Sequence, residues 1–162
     1  MPDSDPVELM VRQWAARRPD VDAAPMALFG RLSRADARVN AMIAATLRPH
    51  GLNRGEFDVL ATLYRGGEDL SPGELAASLL LSPGATTNRV DRLEAAGLLC
   101  RAPDPSDGRG VRVRLTGGGK ALLERALADH VAGLERLTAG LADTEREHLS
   151  ALLAKLLARL EE

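Results

Sequence analysis

The chain has 162 residues and a formal net charge of -2, a size that fits one domain with its own core or a smaller domain extended by helices that need a partner, and excludes a scaffold dependent on staples. A single cysteine, Cys100, excludes an internal disulfide framework and supplies no metal-ligand pair, so no metal site is expected and the expected compartment is a reducing cytoplasm. The sequence shows no basic-then-apolar leader and no apolar run near the ~18 residues that a membrane span requires.

In chain order, MPDSDP (1–6) reads as a loose start, and VELMVRQWAARRP as a short helix ending at Pro19. A connector, PDVDAAP, leads into a long helical pattern carrying Leu28, Leu32, Val39, Ile43 and Leu47, which should stop before Pro49-His50-Gly51. Asn53 followed by Glu56 predicts a capped helix EFDVLATLYR that ends at Gly66-Gly67. Ser71-Pro72-Gly73-Glu74 is a stronger cap, and Ser82-Pro83 supplies another after a short break, with helix from Thr86 to Ala96. Two capped helices across a tight connection form a helix-turn-helix.

DPSDGRGVRVRLT (104–116) places turn residues directly before alternating Val111, Val113 and Leu115. Residues 98–103 and 111–115 are therefore expected to pair as a hairpin with its arginines on the exposed face. After Gly117-Gly118-Gly119, Leu123, Leu127, His130, Leu134, Leu137 and Leu141 recur at four- and three-residue spacing, an a/d stripe that suits either core or a dimer seam. Thr144-Glu145-Arg146-Glu147 reads as a capping box for a final leucine-rich helix.

A helix-turn-helix followed by a hairpin is a winged helix, so the expected fold is mainly α with a small β-hairpin wing and with N- and C-terminal dimerisation helices. The expected regions are 1–24 as an extension with a short helix, 25–52 as a first dimerisation helix, 53–116 as the DNA-binding core and 117–162 as C-terminal dimerisation helices. On the second helix of the motif Thr86, Val90 and Leu93 share an inward face, while Gly84, Ala85, Asn88 and Arg92 lie opposite, with Thr87 at the edge. Asn88 suits paired hydrogen bonds to adenine and Arg92 to guanine. Arg109 at the wing tip suits the minor groove, and Asp107 either clamps that arginine or is an ordinary turn residue. Residues 89 to 120 carry seven basic against four acidic side chains, a local positive excess on an acidic chain that fits a duplex-binding patch or a solvated hairpin.

LSPGELAASLLLSPGATTNRVDRLEAAG together with GLLCRAPDPSDGRGVRVRLT resembles the winged-helix core of MarR-type transcriptional regulators. The likeness spans roughly residues 25–160 and implies an obligate dimer on DNA. Where many members carry two arginines at the wing tip, this chain has Gly108 then Arg109. The stretches QWAARRPDVDAAPMALFGRLSR and HGLNRGEFDVLATL resemble the subgroup with an extra N-terminal helix that includes urate-responsive regulators. That likeness implies a small aromatic or anionic effector and no other cofactor, with Trp14, Asp58 and Arg89 as ligand residues. Trp14 also reads as a staple for the first helix, Asp58 as the partner of a neighbouring arginine, and Arg89 as a phosphate contact or the partner of an acid in the body of the protein. Cys100 reads as a small core residue and His130 as a satisfied interface residue. His50, His130 and His148 have no catalytic company, so no enzyme is expected. The functional reading is a cytoplasmic, homodimeric, ligand-responsive regulator of transcription, a repressor on a pseudo-palindromic operator. A helical protein-interaction module without DNA binding is the alternative.

Overall fold

The computed structural model describes residues 5–67, 69–105 and 110–161. The chain divides into two compact units, Met1–Met42 and Ile43–Glu162, the boundary falling inside a helix.

The first unit holds α1 (Pro6–Arg17) and most of α2 (Ala24–Leu47). Asp5 caps α1 by accepting from the Val7 amide at 3.1 Å, and Pro6 takes the first helical position, where no amide is needed. That amide bond, with Arg31 adding, holds the Asp5 carboxyl below its ordinary value. Val7 is buried, and its methyl carbons lie 3.5 Å from where a Cβ on Gly30 would stand, so the small residues Ala27 and Gly30 let the two helices approach.

The second unit begins with the end of α2, a 3-10 turn at Arg48–His50 and α3 (Arg54–Arg65). The capping box forms as expected: Asn53 Oδ1 accepts from the Glu56 amide and Glu56 Oε2 accepts from the Asn53 amide, both at 2.9 Å. β1 (Asp69–Leu70) leads to α4 (Pro72–Leu79) and α5 (Pro83–Ala95), each with Ser at its cap and Pro at its first position. The hairpin is β2 (Leu99–Pro103) with β3 (Val111–Leu115), and the sheet order is β1-β3-β2, all antiparallel. β1 is an addition to the expected hairpin: two residues are too few to show a strand period. The chain closes with α6 (Gly117–Thr138) and α7 (Asp143–Leu160).

Leu47, Val59, Leu60, Leu63, Leu75, Val90, Leu93, Leu99, Val113 and Leu123 form the core of this unit, each burial stabilising by about 1.5–3 kcal/mol. Gly119 lets α6 meet the chain just before β2, since a Cβ there would stand 2.0 Å from the Leu98 carbonyl oxygen.

Two local expectations change. α7 is capped at Ala142, whose amide donates to Glu145 Oε2 at 2.8 Å; Thr144 lies inside the helix because Asp143 already begins it. Cys100 is exposed rather than in the core: strand alternation gives Leu99 the buried side of β2, and Cys100 stands opposite Arg114.

Candidate nucleic-acid interface and effector cavity

The inner face of α5 is Thr86, Val90 and Leu93, all buried as the helical wheel requires. The Thr86 hydroxyl donates to the Ser82 carbonyl at 3.2 Å, which removes the cost of burying it. The outer side exposes Gly84, Thr87, Asn88 and Arg92, with Ala85 half-buried. Thr87 donates its hydroxyl back to the Pro83 carbonyl at 3.0 Å, leaving Asn88 as the outward amide of the first two turns. Arg92 reaches toward α3, its Nη2 standing 3.3 Å from Glu56 Oε1. One buried carboxylate thus caps α3 and holds an arginine of α5.

Among the described residues, the wing arginines are all paired. Asp69 on β1 accepts from Arg112 Nε at 2.7 Å and from Arg114 Nε at 2.8 Å. Arg112 also donates to Glu74 Oε2 at 3.0 Å, the same oxygen that caps α4 by accepting from the Ser71 amide. Arg112, with Arg114 adding, holds the Asp69 carboxyl below its ordinary value, while the Ser71 amide does so for Glu74. Arg101 on β2 is tied to α5 in the same way, through Asp91 Oδ1 at 2.5 Å and through Glu94. The alternation of arginine along β3 therefore serves ion pairs that join the sheet to α4 and α5. The expected exposed arginine face is therefore a paired one: Arg101 is exposed and Arg112 and Arg114 are half-buried, and carboxylates take up all three. Asp107 and Arg109 lie outside the described residues.

Behind α5 lies a cleft of about 700 Å³ whose walls include Arg54, Gly55, Phe57, Asp58, Arg65, Leu79, Leu81, Arg89, Leu127 and His130. Asp58 and Arg89, expected as ligand residues, share this cleft, but Asp58 forms its ion pair with Arg54 at 3.9 Å, one turn earlier on α3. Arg89 instead packs its guanidinium over the backbone of α3, where a Cβ on Gly55 would meet Cζ at 2.6 Å. Three arginines against one aspartate make the cleft electropositive. His130 sits with its ring 4.8 Å from Phe57, and its buried Nδ1 has no hydrogen-bond partner among the described residues. Arg54, Arg65, Phe57 and His130 escaped the sequence reading because their spacing registers only as helix faces. Trp14 belongs to the first unit, on α1, exposed beside Gln13 and Arg17.

A helix-turn-helix joined to a small antiparallel sheet, with α5 presenting Thr87, Asn88 and Arg92 outward, defines a winged-helix DNA-binding protein. The MarR family profile matches residues 50–110. The chain is 36% identical over 149 residues to the transcriptional regulator PecS of Dickeya dadantii, covering 91% of this chain and 90% of the relative. It is 36% identical over 114 residues to the multiple antibiotic resistance protein MarR of Escherichia coli, covering 68% and 77%. Among solved structures, a mutant of E. coli MarR complexed with operator DNA superposes with a TM-score of 0.74 at 31% identity, covering 85% of this chain and 99% of that one. The chain belongs to the MarR family of DNA-binding transcriptional regulators. Members are regulators rather than enzymes, and the alternative of an interaction module without DNA binding gives way to this reading.

Proposed function

We propose that the chain is a cytoplasmic, ligand-responsive repressor that binds a pseudo-palindromic operator as a homodimer, with a small aromatic anion as effector in the cleft behind α5. The observation that carries this reading is Arg89: it belongs to α5 and lines the cleft, so an anion drawn to its guanidinium acts directly on the helix that reads DNA. Arg54 and Arg65 add attraction for an anion, Phe57 and Leu127 offer apolar walls, and the unpartnered His130 Nδ1 gives a ring heteroatom something to bond. Exposed Leu127, Val131, Leu134 and Leu137 on α6, with Leu149 and Leu152 on α7, support a second copy as the cover for the C-terminal helices. In this reading 53–116 is the DNA-binding core, while 25–52 and 117–162 supply the dimer interface.

Asn88, Thr87, Gly84, Ala85 and Arg92 are the residues assigned to the major groove, and Arg109, oriented by Asp107, to the minor groove. The test is calorimetric titration of the full chain with urate, beside Arg89→Gln and Asp58→Asn. Wild type is expected to bind and Arg89→Gln to lose at least tenfold. Urate that binds Arg89→Gln as well as wild type contradicts the assignment.

A further inference from the structure

Leu80 is the one non-glycine residue with a positive φ among the described residues, at φ 53° and ψ 41°. The left-handed conformation closes α4, since the Leu80 amide donates to the carbonyls of Ala76 and Ala77 before the chain turns toward Ser82. Any residue with a Cβ adopts this region at a cost that glycine avoids, so the turn alone does not call for leucine. Leu80 is 94% exposed, and no burial among the described residues offsets that cost. A single exposed leucine is ordinary on a protein surface, but a strained one is not.

Its neighbours divide between two sides of the turn. Leu79 and Leu81 line the cleft, whereas Leu80 stands in solvent beside the start of α5. Leu80, Ser82, Pro83, Gly84, Thr87 and Asn88 are all exposed, and none of them is acidic. This edge leads into the helix that carries the base-reading side chains, and an isobutyl group gains nothing from a phosphate. The apolar feature that the major groove displays is the C5-methyl of thymine.

We infer that Leu80 is a specificity-determining contact, packing its side chain against a thymine methyl at the operator's major-groove edge. The inference rests on α5 being the recognition helix. Operator binding then supplies the apolar burial that the free protein lacks, and the left-handed backbone aims the side chain outward.

The test uses the full chain and a duplex that it selects from a random pool, with a scrambled duplex as control. Leu80→Gly is expected to melt no lower than wild type, because the backbone strain is relieved. It should lose operator affinity by about fourfold or more, the value of burying one methyl group. Scrambled duplex should be bound as before, and Leu80→Met should retain wild-type affinity. Replacing the operator's thymines one at a time by deoxyuridine should reveal a position that weakens wild type about fourfold and leaves Leu80→Gly unchanged. Equal operator affinity of Leu80→Gly and wild type, an equal loss on scrambled duplex, or a deoxyuridine effect common to both proteins overturns the inference and leaves the recognition-helix reading standing. A wild-type chain that selects no duplex overturns the reading beneath it.

Discussion

The two sides of α5 are built from opposite chemistry. Outward, Gly84, Thr87 and Asn88 form a small, uncharged edge that continues into Arg92, whose guanidinium is paired with Glu56; on the flank, Arg89 lies over the Gly55 backbone of α3. The outer side can discriminate bases but contributes little long-range attraction, because hydrogen-bond readout is local and its Arg92 is paired with Glu56. The flank holds charge that the cleft can reach. Recognition and control are thus placed on different sides of one helix, and a change on either side should have its own signature.

The largest expected effect comes from removing what both sides share. Leu93→Ala deletes a fully buried side chain that anchors α5, and should cost about 2–5 kcal/mol in a denaturant melt and abolish binding to any duplex. Asn88→Ala acts on the outer side alone. Operator affinity should fall by about 1–3 kcal/mol with unchanged melting and unchanged affinity for scrambled duplex, as read by fluorescence anisotropy.

The wing offers a control that leaves both sides of α5 in place. Asp69 is ionised below its ordinary range because Arg112 and Arg114 donate to it, so its contribution is present above that range and is lost as pH falls through the folded value. Wild type should therefore lose stability on acidification more steeply than Asp69→Asn, which begins less stable at neutral pH. Parallel acid profiles in thermal melts would contradict the clamp. The smallest effect is expected from Gly55→Ala. The added methyl meets only the far end of the Arg89 side chain, so melting should scarcely change, while urate affinity in calorimetry should shift severalfold as the guanidinium is displaced.

Much of this arrangement is legible in the sequence where the chemistry is local. Caps at Asn53, Ser71 and Ser82 depend on residues three apart, and they form as read. The inward face of α5 follows from helical period alone. What escapes is non-local: Asp69 and Arg112 stand 43 residues apart, and nothing near either one announces the pair. The alternation that marks β3 as a strand is silent on whether its arginines face water or carboxylates. Cys100 shows the same limit, since a strand period gives two faces without saying which is inside. The cleft draws walls from α3, α4, α5 and α6 together, so the resemblance pointed to Asp58 and Arg89 but no spacing pointed to His130. Leu80 is a different failure: leucine carries no left-handed signal, and only the backbone reveals it.

The most direct measurement is a salt titration of binding to the selected duplex and to its scrambled counterpart, each with and without urate. The expected result is a preference for the selected duplex that persists as salt rises, a slope set by phosphate contacts on both duplexes, and release by urate from the selected one. Equal affinity for the two duplexes at every salt concentration would contradict base reading by the outer side of α5. A preference untouched by saturating urate would contradict its control by that ligand from the cleft.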